Sequence, residues 1–323
     1  MRASVPLAAA AILLAAAPLG AAELWESADG ENAVSLSAAL KASALVSRAP
    51  DDPFLYPERD SGLGLFRGRL MLKANCGEVL DAEVAYEQRV RLVSEDAGAA
   101  ASGGGIVPAS GRVPFRLEQW DWEIDENDDG TRSWRHEVDR ALVAWHPSWG
   151  EVVVGRQAVG LGRGTLFSAV DVFSPFAPAE IDREWRRGVD AARAEWRVSD
   201  TFSAEIISAW GESWDESALL GRIRGYMGRV DAEVLAGKRG EDLMYALTVS
   251  AAIGDAEVHA EAAVFYLDDD WVQDGLFGDD RLVGKAVLGA SYTFAVGEGL
   301  SLTAEYHYSG FGAEEIEEGE DLL

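Results

Sequence analysis

Residues 34–46 read VSLSAALKASALV. The even positions carry Val34, Leu36, Ala38, Leu40, Ala42, Ala44 and Val46, and the odd ones Ser35, Ser37, Ala39, Lys41, Ser43 and Leu45. Side chains of a strand alternate between its two faces, so a period of two held this long predicts a strand about twice the usual length. The pattern recurs over 79–92, where Leu80, Ala82, Val84, Tyr86, Val90 and Leu92 oppose Asp81, Glu83, Glu87, Arg89 and Arg91. It recurs again over 256–266, 282–294 and 300–308, and helical periodicity is nearly absent after residue 22.

The full reading places strands at 34–46, 64–76, 79–92, 113–124, 134–145, 151–157, 187–198, 201–210, 219–228, 230–237, 244–253, 256–266, 282–294 and 300–308. Some connections are tight (75–78, 199–200, 254–255, 296–299) and others long and polar (47–61, 94–111, 268–280). Long strands with short turns at one end and long loops at the other predict an all-β fold. The expected architecture is a transmembrane antiparallel β-barrel of about 14 to 18 strands, with a charged insertion between two central strands. Tyr292, Tyr306 and Tyr308, with Trp120, Trp134, Trp145, Trp196 and Trp210, fall near strand ends, as interfacial aromatic girdles would. A soluble sandwich also alternates, but its strands are shorter and its edges stay exposed.

Two features strain this reading. Counting ends strand by strand puts the tight turns at 76–78 and 199–200 on opposite sides, so one strand between them is surplus or missing. The chain also finishes in GFGAEEIEEGEDLL (310–323), an acidic, loop-like run. The closing strand is therefore expected elsewhere or beyond it.

The first 22 residues, MRASVPLAAAAILLAAAPLGAA, join a basic Arg2, an uncharged apolar stretch and small residues before Glu23. That order is a secretory signal cleaved after Ala22. The domain plan is thus a signal at 1–22 and a barrel over 23–323, exported to the bacterial outer membrane. No later run of apolar residues is long enough for a spanning helix.

Charge excludes one class of partner. The chain has 28 Lys and Arg against 56 Asp and Glu, a formal charge of −28. Phosphate binding comes from basic residues, so nucleic acid is not expected. Fixed carboxylates raise the local cation concentration, so a channel of this composition is expected to prefer cations. Expected partners are outer-membrane lipid, lipopolysaccharide and a small polar solute, and a homo-oligomer is compatible with the sequence. The lone Cys76 forms no pair, and His136, His146, His259 and His307 show no metal-ligand spacing. No cofactor is expected.

Residues 154–196 read VGRQAVGLGRGTLFSAVDVFSPFAPAEIDREWRRGVDAARAEW. A strand ending in Gly155-Arg156-Gln157 runs through a Gly-rich stretch into a segment dense in Arg, Asp and Glu, then into a strand beginning Gly188-Val189-Asp190. Pro175 and Pro178 argue against a strand in between. The charged residues Arg156, Arg163, Asp171, Glu180, Asp182, Arg183, Glu184, Arg186, Arg187 and Asp190 are nearly balanced in sign. They can line a pore constriction together with Gln157, or pair with one another to hold the loop. The balance favours scaffold over selectivity.

The order Gly-Arg-Gln, Gly-rich turn, Asp-x-Phe-x-Pro-Phe (Asp171, Phe173, Pro175, Phe176), acid–Arg cluster and Arg187-Gly-Val-Asp190 resembles bacterial outer-membrane porin-like barrels related to the alginate-export family. His136-Glu137-Val138-Asp139-Arg140 is similar to the strand before that signature. The resemblance covers about residues 134–198 and implies an outer-membrane channel. The C-terminal run departs from that family, whose members look longer.

Other motifs are weaker. Asp125, Asn127 and Asp129 with Gly130 match the first half of a calcium loop, but position 12 is His136 and the flanks are strands. Gly160-x-Gly162-x-Gly164 lacks the following helix of a nucleotide loop and reads as flexible backbone. Catalysis is not expected: Ser250 and His259 face across a predicted hairpin, without a nucleophile elbow. The functional expectation is a channel passing small polar solutes by diffusion. The alternatives are a polysaccharide exporter, a sheath around an electron-carrying partner and, less favoured, an outer-membrane hydrolase.

Overall fold

The computed structural model describes residues 9–48, 60–94, 112–126, 131–176, 184–268, 281–296 and 299–311, which hold strands, turns and loops and no helix. The strands are β1 (Ala9–Glu26), β2 (Asn32–Arg48), β3 (Asp60–Cys76), β4 (Leu80–Val93), β5 (Asp121–Glu126), β6 (Arg132–Trp145), β7 (Gly150–Gln157) and β8 (Val189–Ser199). They continue with β9 (Phe202–Ala209), β10 (Ala218–Met227), β11 (Val230–Arg239), β12 (Asp242–Ile253), β13 (Ala256–Tyr266), β14 (Leu282–Phe294) and β15 (Leu300–Ser309).

All belong to one 15-stranded sheet. Each strand pairs antiparallel with its chain neighbours, except that β4 pairs with β6 and β5 attaches to β6 alone. The sheet is open, with β1 and β15 as its edges.

The structure identifies the surplus strand as 113–124. Residues 113–120 are not strand, and only Asp121–Glu126 pair, with the stretch of β6 from Ser133 to Glu137. β6 meets β4 along nearly its whole length but meets the short β7 only over Ala141–Trp145. β5 therefore takes the part of the β6 edge that β7 leaves empty. Val113, Phe115 and Arg116 are buried instead. With that strand removed, the strand ends at Glu26/Asn32, Cys76/Leu80, Trp145/Gly150, Ser199/Phe202, Met227/Val230, Ile253/Ala256 and Phe294/Leu300 all fall at one side of the sheet. Those at Arg48/Asp60, Val93/Arg132, Gln157/Val189, Ala209/Ala218, Arg239/Asp242 and Tyr266/Leu282 fall at the other.

β1 contains most of the leader-like segment and pairs with β2 from Ala9↔Arg48 to Glu26↔Ala33. The register is irregular at Pro18/Gly20 and Glu23/Trp25. An open strand edge offers unpaired N–H and C=O groups, and an uncharged segment satisfies them. Proline is tolerated there because one side of the strand faces no partner.

From β3 to β15 inward and outward residues mostly alternate, and polarity is distributed differently from a protein in water. Charged side chains are buried on one face together with part of the apolar ones, and large apolar side chains are exposed on the other. Two local irregularities re-aim residues inward. A bulge between β4 and β6 leaves Asp139 without an opposite residue. Asp139 and Arg140 are therefore both buried in succession, and the inward parity of β6 changes from odd to even. In β7, Val153 is inward, so strict alternation would send Arg156 outward. Gly155 at φ +118° turns the chain so that Arg156 is buried. A Cβ there would lie 2.2 Å from the Ala141 carbonyl oxygen, so only glycine fits.

Candidate functional site

The inner face holds the 158–187 insertion, and the two halves of the wall grip it by different means. On β3, β4 and β6, charged residues spaced two apart share a face: Arg67 and Arg69, Glu87 and Arg89, Glu137 and Asp139. Registers then align them, with Arg69 opposite Glu87 and Glu87 opposite Glu137. Glu87 accepts from Arg67 Nε at 3.1 Å and from Arg89 at 3.0 Å. Asp139 pairs with Arg69 at 3.0 Å and Arg140 at 2.6 Å. Glu137 pairs with Arg116 at 2.8 Å and Arg187 at 3.3 Å.

Six guanidinium groups (Arg67, Arg69, Arg89, Arg116, Arg140, Arg187) thus surround three carboxylates. Guanidinium groups only donate, so the surplus donors need other acceptors. The end of the insertion supplies them as backbone carbonyls. Arg67 donates to Trp185 O at 3.3 Å, Arg116 to Gly188 O at 2.7 Å, and Arg140 to Arg186 O. The Trp185 ring lies under three cations, with Lys41 Nζ at 4.0 Å and Arg67 and Arg69 at 5.1 and 5.5 Å from its centroid. Lys41 also pairs with Glu184 at 2.6 Å.

Arg156 is fully buried and bidentate on Asp190, at 2.8 and 3.0 Å. It further donates to the carbonyls of Gln119 and Val138 at 2.8 and 3.0 Å. The pair ties β6, β7 and β8 to the 117–120 loop. Gln157 Nε2 donates to Ala191 O at 3.0 Å across the same strands.

Against β8–β14 the contact is mainly apolar. Val159, Leu161, Val170, Val172 and Phe173 of the insertion pack with inward residues such as Ile207, Leu220, Leu235, Met244 and Phe265. Below that layer two wall carboxylates hold the Gly-rich stretch. Glu261 accepts from Gly164 N at 2.6 Å, Ala169 N at 2.7 Å, Ser168 Oγ at 3.0 Å and also Arg163 N. Glu305 accepts from Leu166 N at 2.7 Å, Phe167 N at 3.0 Å, Thr165 N, and His259 Nε2 at 2.8 Å. The chain must wind tightly to aim successive N–H groups at one carboxylate. A Cβ on Gly164 would sit 1.7 Å from Phe167 O. The glycines therefore make close approach achievable, a more specific role than flexible backbone.

The insertion therefore reaches from Lys41 on β2 to Glu305 on β15, so the sheet curls around it. Of the residues singled out in the sequence, Arg156, Gln157 and Asp190 fix the base of the insertion. Arg163 binds Asp231 and Glu233 on β11, Glu184 binds Lys41, Arg186 binds Asp171, and Arg187 binds Glu137. Each of these residues is engaged in a contact within the fold. Glu180, Asp182 and Arg183 lie outside the described residues, as do Asn127 and Asp129, while Asp125 is in β5.

Burial raises the Asp171 carboxyl above its ordinary value despite Arg186 beside it. Burial likewise lowers the Arg187 guanidinium despite Glu137. Among the described residues no cluster of His, Cys, Asp and Glu could hold a metal ion. Ser250 stands opposite His259 in the β12–β13 register, but the His259 ring bonds Glu305 two strands away.

Sequence reasoning missed Arg67, Arg69, Arg116, Glu205, Arg222, Glu233, Glu261 and Glu305. Same-face spacing signals some of them, as in Arg67-x-Arg69. Their pairing depends on register. No protein-family model matches this chain, and no curated protein matches it.

Proposed function

We propose that this chain is a barrel-forming channel of the bacterial outer membrane, narrowed by an insertion held inside it, which passes small polar solutes. The observation carrying this reading is the inverted distribution of polarity. Arg67, Glu87, Glu137 and Glu261 are 2, 2, 3 and 3% exposed, whereas Phe66, Ile206, Tyr245 and Leu288 on the other face are 50, 48, 57 and 63% exposed. In water the outer face would form one apolar patch far larger than soluble monomers present, whereas lipid covers it without cost. A charged interior is what an aqueous path requires.

The leader supports export. Cleavage after Ala22 would leave β2 with an open edge, and the strands of the mature wall among the described residues, β2–β4 and β6–β15, would be odd in number. A strictly antiparallel cylinder needs one more, running antiparallel to β2 in the seat that β1 holds in the uncleaved chain.

On solute charge the described interior argues differently from composition. Its buried carboxylates Glu87, Glu137, Asp139, Asp190, Glu205 and Glu233 are paired with arginines, Glu261 is capped by backbone N–H groups, and the β3–β6 cluster has more arginines than acids. No unpaired carboxylate ring stands on the described inner face to favour cations. The depth to which the insertion fills the interior favours a restricted path over a wide pore, so a plugged exporter is the second reading.

The test is conductance of the refolded full chain in a planar bilayer under a salt gradient. Discrete open levels are expected. A correctly inserted barrel that never conducts would overturn the channel and leave the plugged exporter or the partner-filled sheath.

A further inference from the structure

Where the insertion meets β11, β13 and β14, it leaves a cavity of about 470 Å³ toward the long-loop end, a size typical of small-ligand pockets. Its charge is opposite to that of the chain as a whole. Arg112, Arg187, Arg239 and Lys285 line it, against one acid, Asp171, already bound to Arg186. Its remaining surface is largely apolar, with Phe173, Phe265 and Phe311 edge-on to neighbouring rings, Trp185, Phe176 and Val172 beside them, and Ser174 as a further polar group.

Two of the cations are under-used. Lys285 Nζ rests on ring faces, 4.9 Å from Phe311 and 5.8 Å from Phe265, and has no carboxylate partner among the described residues. Arg239 reaches Asp242 only at 4.0 Å, and its Nε is buried without a hydrogen-bond partner. An ammonium and a guanidinium lining one half-apolar cavity repel each other, an arrangement that an anion relieves.

We infer that this cavity binds a small aromatic monocarboxylate, with its carboxylate between Lys285 and Arg239 and its ring against Phe265 and Phe311. The carboxylate supplies charge-assisted acceptors to both donors, and the ring buries apolar area where water is poorly held. Neither half suffices alone. A small inorganic anion leaves the aromatic surface wet, and a neutral ring leaves the two cations unpaired.

The test is calorimetric titration of the full chain in detergent micelles with benzoate, acetate and benzyl alcohol. Benzoate is expected to bind at least about tenfold more tightly than either of the others. Lys285→Gln and Arg239→Gln are each expected to weaken benzoate by about tenfold or more, and Lys285→Arg to retain most of the affinity. Equal affinity for benzoate and acetate would overturn the aromatic subsite. Undiminished benzoate binding by folded Lys285→Gln would overturn the site itself. Binding in micelles is read without conduction, so it stands or falls separately from the channel.

Discussion

Removing the Glu261 carboxylate should release the Gly-rich stretch of the insertion. In the structure this side chain accepts from three backbone N–H groups, those of Arg163, Gly164 and Ala169, and from Ser168 Oγ. Bonds to a charged acceptor contribute about 1.5–3 kcal/mol each, but the freed groups recover part of this from water. Losing one charged acceptor shared by four donors therefore costs about 3–4 kcal/mol net. Glu305, holding Thr165, Leu166 and Phe167 next door, stays in place. The opening equilibrium of the segment should therefore shift by about two to three powers of ten in Glu261→Ala. Amide hydrogen exchange read residue by residue is the assay. Gly164 and Ala169 should exchange about 100- to 1,000-fold faster, with smaller changes at 165–167. Glu261→Gln keeps one carbonyl acceptor and should fall between. Unchanged protection at Gly164 and Ala169 in a folded Glu261→Ala protein would refute the idea that this carboxylate clamps the insertion. In a bilayer, Glu261→Ala should spend more time at a larger conductance level.

Other outcomes follow from the same contacts. Leu247, exposed at the middle of β12, should face lipid. Leu247→Arg is expected to destabilise the bilayer-folded protein by about 2–4 kcal/mol in reversible denaturant titration, and no loss would argue against a lipid-covered face. Arg156→Met strands Asp190 and the carbonyls of Gln119 and Val138, and should cost about 3–5 kcal/mol. Adding Asp190→Asn should recover part of that, and a double variant no better than the single one would show that the charge pairing is irrelevant. Asp171 has its folded-state carboxyl raised above the ordinary value by burial. Its contribution thus favours folding when protonated and is lost as pH rises through the folded value. The melting temperature of the parent relative to Asp171→Asn should therefore fall as pH rises above the ordinary aspartate range, and a pH-independent difference would refute the raised carboxyl.

Much of the architecture was readable in the strands themselves, because the period of two is a local property of consecutive side chains. Residues 34–46, 79–92 and 256–266 carry it plainly, and all three lie in strands of one antiparallel sheet. The misreading at 113–124 has a physical cause. Val113, Phe115 and Leu117 alternate as a strand would, yet Arg116 is drawn into the interior by Glu137, Asp139 and Gly188 O. Nothing within those residues announces partners that lie many positions away in the chain.

The sequence by itself determined the all-β fold, the long and charged strands, and an insertion with nearly balanced charge between β7 and β8. These depend on alternation, on proline and glycine, and on composition, which act over a few residues. Only the tertiary structure decided which charges neutralise which. Arg156 turns inward because of a positive φ at Gly155, and Asp139 and Arg140 are buried together because of a bulge. Glu261 and Glu305 meet the insertion from strands about a hundred residues or more away, through register alone. The cationic, aromatic cavity in an acidic chain is likewise a product of register and curvature, since its residues come from the insertion, β11, β13 and β14, the segment before β5 and Phe311 after β15. Side-chain chemistry is written locally, but the pairing of buried charges is a property of neighbours in space.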